Sequence, residues 1–361
     1  MNIIYILKET FQKRTSAISA VLNLCETGNS VTLIAESISD YWITELQDKG
    51  VECYSIPLML FGKNPICKLI NYLVFAHKAL SIINEKYTDD TIVWVYEAFT
   101  ISALGKRLKK YKYVLQIQEL YEDYPRRLKD ISRVIHSAQL VFMPQYDRCC
   151  IYQSIFHLEN RPIVLPNKPY FIPSPEQLSQ LEHKYSEQLR LFKEKKVILY
   201  QGHIHPERDL TNFIKAVDLL PDDYVFVLLG KDHGILKKYK AISNKVVHID
   251  FVPAPDYLVF TANCFFGVVT YDPKHLNTTY CAPNKIYEYG AFGKPMLGND
   301  IPGLKQINEY NAGLLVEDNV DSIKEGLLNM IESYQKHSQG AVDLFNSVDT
   351  KDIIVKSIYC G

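Results

Sequence analysis

Lys285 and Glu288 stand three residues apart in the stretch APNKIYEYGAFGKP, residues 282–295. On a helix that spacing puts both side chains on one side of the first turn, where free backbone N–H groups make a positive end. One chemistry this allows is a site for an anion. The other is an exposed ion pair contributing about 0.3–0.5 kcal/mol. The flanking residues punctuate a short helix: Pro283 suits the first helical position, Gly293 the left-handed position past the end, and Pro295 forbids continuation.

Further residues of the same chemical kind recur upstream. Gly202 and Arg208 occur in QGHIHPERDL, Gly230 in GKDHG, Val252 and Pro253 in FVPAPDY, and Tyr271 and Asn284 before and within the opening stretch. Each segment follows an apolar run that reads as a strand: VILY, FVLL, VVHID and GVVTY. In an open parallel sheet, ligands lie beyond the carboxyl ends of the strands. Glycines there let a backbone approach a ligand, and Arg208, expected in the first turn of the next helix, sits where a phosphate would be held. His203 and His205 form a His-x-His pair, but no carboxylate cluster accompanies them, so the sequence predicts no metal site.

The elements that position these residues follow from apolar periodicity. Short β-branched and aromatic runs (NIIYIL, VTLIA, VECYSI, TIVWVY, YVLQI, QLVFM, PIVL) alternate with helical patterns over residues 1–165, which predicts a parallel α/β domain. Among those helices is one near Pro65 to Lys86 and one near Thr100 to Lys110. Residues 166–175 carry four prolines and read as an extended linker into a charged helix ending at 194. The alternation restarts at KVILYQG and runs to about 340. The chain is therefore expected to be two tandem Rossmann-like domains, 1–165 and 195–340, joined by 166–194, with residues 341–361 packing back on the first domain.

Composition narrows the function classes. Hydrophobic residues make up 47% and charged residues 22% of the 361, which excludes a disordered chain. A formal net charge of −1 gives no global attraction to nucleic acid, so none is expected as a partner. The eight cysteines show no paired spacing of the zinc or redox type and read as reduced thiols in a cytoplasmic protein. No stretch reads as a signal peptide or as the roughly 20 apolar residues of a membrane span. The basic run GKRLKKYKY (Gly105 to Tyr113) is either a solvated face or a contact with an anionic membrane surface.

PNKIYEYGAFGKPML followed by GNDIPGL, preceded by YQGHIHPERDLTNFIKAV, VFVLLG and VVHIDFVP and followed by GLLVEDN, resembles the glycosyl transferases group 1 type, nucleotide-sugar-dependent enzymes of the two-domain GT-B fold. The resemblance covers about 195–335 and is faint over 1–165. It implies two Rossmann-like domains facing across a cleft, and a sugar donor held by the second. Glu288 would accept hydrogen bonds from ribose hydroxyls, Arg208 and Lys285 would neutralise a diphosphate, and Val252 with Pro253 would flank the base. Gly202, His203, Gly230, Tyr271 and Asn284 would complete the donor site. It further implies sugar transfer of the retaining type to a glycan or lipid-linked acceptor hydroxyl in cell-surface polysaccharide synthesis, with no cofactor or metal. Asp-x-Asp, the hallmark of the metal-dependent alternative fold, does not occur in the chain. For an inverting transfer instead, a base would have to come from the first domain, where Glu119 and Glu97 lie at strand ends. Tyr280 replaces the glutamate that the family often has eight residues before Glu288. A nucleotide-sugar epimerase or a non-catalytic nucleotide-sugar-binding protein would share the architecture.

Overall fold

The structure is a computed structural model describing residues 1–60 and 64–359. It divides into two compact units, Met1–Tyr170 together with the chain from Asp349 on, and Phe171–Val348. The first unit holds strands β1 (Asn2–Thr10), β2 (Ser30–Ser37), β3 (Glu52–Ser55), β4 (Thr91–Tyr96), β5 (Tyr113–Gln116), β6 (Leu140–Met143) and β7 (Ile163–Val164). The second holds β8 (Lys196–Gln201), β9 (Tyr224–Leu229), β10 (Val246–Ile249), β11 (Phe266–Val269), β12 (Met296–Asn299) and β13 (Gly313–Val316). Every pairing is parallel. Helices connect the strands and cover both faces, which is why the central strands read as almost unbroken apolar runs. Tyr5, Trp94 and Phe142 on β1, β4 and β6 are fully buried, with Trp94 and Phe142 stacked at 4.9 Å.

The strand orders are β3-β2-β1-β4-β5-β6-β7 and β10-β9-β8-β11-β12-β13. In each sheet the chain builds outward from a first strand in one direction and then returns to build the other side. The direction reverses between β1 and β4 in the first unit and between β8 and β11 in the second. Connections diverge on either side of such a point and open a crevice outside the strands' carboxyl ends. Glu9 and Glu97 lie at that point in the first sheet, and Gly202 and Tyr271 in the second.

Three sequence expectations change. The segment 341–361 does not act as one piece: the Tyr334–Asn346 helix buries Ala341 and Leu344 in the second core. Only the Thr350–Tyr359 helix joins the first unit, where Ile354 is buried and Asn23 donates to the Thr350 hydroxyl at 3.2 Å. The helix expected at 100–110 begins at Glu97 and ends at Leu104, because Gly105 adopts a positive φ of 56°, and residues 105–110 form a tighter 3-10 turn. The Pro65–Lys86 helix, 22 residues long, is long and apolar enough to cross a membrane by length and composition, contrary to the absence expected of any such stretch.

Candidate anion site in the second domain

The site is assembled from the ends of β8, β9 and β11 and the Lys285–Ala291 helix. That helix is held by close backbone packing: a Cβ on Gly290 would lie 2.7 Å from the Ala341 carbonyl oxygen, so only glycine allows the Tyr334–Asn346 helix to approach. Gly293 takes the left-handed conformation with φ 58°, as its place past the helix end requires. The helix starts at Lys285, so Pro283 precedes it and Asn284 caps it, its carbonyl accepting from the Tyr287 and Glu288 amides.

Glu288 is buried and so is the ammonium of the half-buried Lys285, which removes the surface ion-pair reading. The Lys285 ammonium lies 4.6 Å from the Tyr200 ring centroid and 5.8 Å from that of Tyr271, and no group hydrogen-bonds it. Burial, reinforced by the neighbouring Arg208 charge, brings its pKa down to about 7, against a weaker opposing pull from Glu288. Arg208 stacks over Tyr271 at 4.9 Å, and the Tyr200 hydroxyl donates to the His203 carbonyl at 3.2 Å. Two cations thus share a pair of tyrosine rings with no carboxylate bonded to either. An unpartnered buried ammonium beside a second cation is a standing cost unless an anion arrives.

Arg208 reaches this place from the turn before the Thr211–Asp218 helix, not from its first turn. Pro206 lies in that turn, and the Asp209 carboxylate accepts from the Thr211 amide at 2.9 Å, so the helix begins later than expected. Gly202, with φ 136°, brings the backbone against the ammonium: a Cβ there would be 3.1 Å from Lys285 Nζ. Gly230, φ 144°, has a packing reason, since its Cβ would fall 2.0 Å from the Gly202 carbonyl oxygen. His203 is exposed, and its Nδ1 is 3.1 Å from Nε2 of His233. Partial burial, then His233 and the two cations, lower its pKa.

Glu288 sits deeper, at the end of a buried polar chain. The Thr261 hydroxyl donates to Oε1 of Gln201 at 2.7 Å, which turns the Gln201 amide to donate to Glu288 at 2.5 Å. The Tyr257 hydroxyl donates to the other Glu288 oxygen, also at 2.5 Å. Burial raises the Glu288 pKa, and Tyr257, Lys285 and Gln201 oppose the shift. Each carboxylate oxygen keeps a second lone pair for an incoming hydroxyl. Tyr271 is pinned by buried Asn299, whose amide exchanges two hydrogen bonds with its backbone. Val252 is half-buried and Pro253 exposed on the loop after β10. Tyr200, Gln201 and Tyr257 escaped sequence reasoning. Tyr200 and Gln201 directly precede Gly202 at the end of β8, the one signal that pointed to them.

Glu119 and Glu97 belong to the first unit. Glu119 faces Arg148, Oε2 to Nη1 3.5 Å, and is half exposed. Glu97 is buried with a positive φ of 68°, a strained backbone for glutamate. It accepts from the Gln118 amide at 2.5 Å, the Ala98 amide at 3.1 Å and the Tyr121 hydroxyl. Burial, and then the Glu119 charge, raise its pKa to about 7. Beside it, the Gln118 side-chain amide and Glu9 Oε2 are buried without hydrogen-bond partners. Among the described residues no group of three or more His, Cys, Asp and Glu side chains is placed to hold a metal ion.

Residues 182–340 match the glycosyl transferases group 1 family. No curated protein sequence matches the chain. Among solved structures, the chain resembles HepE from Anabaena, solved in complex with UDP and glucose, with a TM-score of 0.74 at 14% identity over 100% of both chains. Sucrose-phosphate synthase from Thermosynechococcus elongatus gives 0.71 at 14% identity, covering 99% of this chain and 97% of that one. WaaG, a glycosyltransferase involved in lipopolysaccharide biosynthesis, gives 0.65 at 13% identity, covering 99% and 100%. At such identities the likeness shows the fold: two Rossmann-like domains of the GT-B kind.

Proposed function

From the match of residues 182–340 to the glycosyl transferases group 1 family, we propose that the protein transfers a sugar from a nucleoside diphosphate sugar to an acceptor hydroxyl. The observation that carries this reading is the buried, unpartnered Lys285 ammonium beside Arg208 at the β8/β11 switch point. A diphosphate supplies the charge that pair lacks. The carboxylate of Glu288, oriented by Gln201 and Tyr257, accepts the ribose hydroxyls, and Val252 with Pro253 flanks the base. HepE, similar over the full chain, was solved with UDP, which makes uracil the first base to test.

In the reaction the bond from the anomeric carbon to the diphosphate oxygen breaks and a bond to the acceptor oxygen forms. The proton of the acceptor hydroxyl ends on the departing diphosphate, as in a retaining transfer. Arg208 and Lys285 hold the charge that develops on the leaving group, preorganised by the tyrosine rings around them. The reading needs no resident metal or cofactor. The polar cluster of Glu9, Glu97 and Gln118 at the first sheet's switch point offers unpaired donors and acceptors to an acceptor's hydroxyls. A glycan of the cell surface, free or lipid-linked, is the acceptor class this reading favours.

The test is a thermal-shift screen against a panel of nucleotide sugars, since a ligand at about 100 times its dissociation constant stabilises by about 2.7 kcal/mol. NMR of the product with the stabilising donor and an acceptor series then gives the anomeric configuration. No shift with any member of the panel overturns the proposal.

A further inference from the structure

The Pro65–Lys86 helix of the first domain is apolar on two faces. Phe75, Ala76, Ala79 and Ile83 are buried against the domain. On the other side Ile66 is 65%, Leu69 60% and Leu73 56% exposed, with Ile70 also exposed between them. These four recur at i, i+3, i+4 and i+7, the spacing of one helical stripe. Leu58, Met59 and Leu60, shortly before the helix, are exposed as well. Single exposed leucines are ordinary, but a run of this size marks a contact surface.

We propose that this face docks into the interfacial layer of an anionic lipid membrane. The charge pattern selects that occupant. No aspartate or glutamate occurs from Pro57 to Asn84, whereas Lys63, Lys68 and Lys78 do. The neighbouring Pro125–Ser132 helix adds Arg126 and Lys129, both exposed, and Arg127, which donates to the Tyr72 hydroxyl at 2.8 Å. Its one acid, Asp130, is engaged by Arg133 and Ser102. Exposed Tyr124 precedes that helix. Apolar residues that sink below the headgroups, bordered by cations and an aromatic at headgroup depth, are the pattern of a helix lying in a membrane surface. A second copy of the same face would bring cations against cations. The helix does not span the bilayer, because its opposite side is core.

This differs from the contact expected of Gly105 to Tyr113. There Arg107 is spent on the Ala103 and Leu104 carbonyls, Lys112 on that of Asp89, and Leu108 is buried. The stripe also lies at the functional end of the first sheet. Lys8 of β1 has its ammonium 4.4 Å from the ring centroid of Tyr72 on this helix. The docking goes beyond the sugar-transfer reading and does not depend on it.

The experiment is co-sedimentation of the full chain at low salt with vesicles of phosphatidylcholine, or of phosphatidylcholine with one third phosphatidylglycerol. The wild type should sediment with the anionic vesicles and less with the neutral ones. The double variant Leu69→Glu, Leu73→Glu should bind anionic vesicles at least about tenfold more weakly, each apolar side chain lost from the interface being replaced by a charge. Both positions are exposed, so its thermal transition and its shift with UDP should match the wild type. Wild type that stays in the supernatant, or a double variant that sediments equally, overturns the proposal. So does a wild-type dimer that the double variant dissociates without any vesicle binding, which would assign the face to a second copy.

Discussion

Replacing Lys285 by methionine should stabilise the ligand-free protein while weakening its hold on a nucleotide. The Lys285 pKa falls from an ordinary 10.5 to about 7 on folding. A cation whose pKa is depressed by folding destabilises the native state at full strength below the folded value, and the penalty fades as pH rises toward the unfolded one. A fall of that size makes the penalty one of several kcal/mol near pH 7. Methionine keeps the apolar stem and removes the charge. The second domain's melting transition should therefore rise by several degrees at pH 7, with the gain shrinking toward pH 10.

The same group links binding to protons. A diphosphate returns Lys285 to the charged form, so binding of UDP should take up protons, more at pH 8 than at pH 7, and affinity should fall as pH rises above 7. Calorimetry in two buffers of different ionisation enthalpy measures that uptake directly. In Lys285→Met the uptake at pH 8 should vanish and affinity should drop about tenfold to a hundredfold, the loss of a charge-assisted hydrogen bond of about 1.5–3 kcal/mol. A variant that melts no higher than the wild type and still takes up the proton at pH 8 would refute the argument.

Three other perturbations are informative. Glu288→Gln should weaken nucleotide-sugar binding about tenfold to a hundredfold, and unchanged affinity by calorimetry in a folded variant removes the ribose role. Gly230→Ala, with its methyl 2.0 Å from the Gly202 carbonyl oxygen and φ at 144°, should lower the denaturant midpoint of the second domain markedly, whereas an unchanged midpoint would contradict the packing described. Glu97 has a folded pKa raised to about 7, so its contribution is intact below about pH 4.5 and lost as pH rises through 7, a change of about 3 kcal/mol. Urea unfolding at pH 5 and pH 8 should show that slope in the wild type and a smaller one in Glu97→Gln.

Much of the fold was legible because parallel strands covered on both faces leave almost unbroken apolar runs. Most strands among the described residues fall on such runs, TIVWVY and YVFVLL among them, whereas β3, ECYS, is partly exposed. Boundaries set by single backbone conformations were less visible. Glu97 and Gly105 at positive φ move one helix toward the amino terminus, and a turn in which the Asp209 carboxylate accepts from the Thr211 amide precedes another, which leaves Arg208 outside that helix. The C-terminal helices read as one packing segment because their apolar stripes do not say which core each one fills.

By itself the sequence determined the two α/β alternations, the order of the donor-site segments and the pairing of Lys285 with Glu288 on one helical turn. Whether that pair was a surface ornament or an anion site was decided only by tertiary structure. Tyr200 and Arg208 come from one segment and Tyr271 from another, about sixty residues on, and burial by all of them together depresses the Lys285 pKa and leaves its ammonium unpartnered among the described residues. The same holds for the Pro65–Lys86 helix: periodicity marks Leu69 and Leu73 as apolar, but only packing shows that they are exposed among the described residues. Local pattern records what a side chain is, while solvation and charge are sums over neighbours distant in sequence.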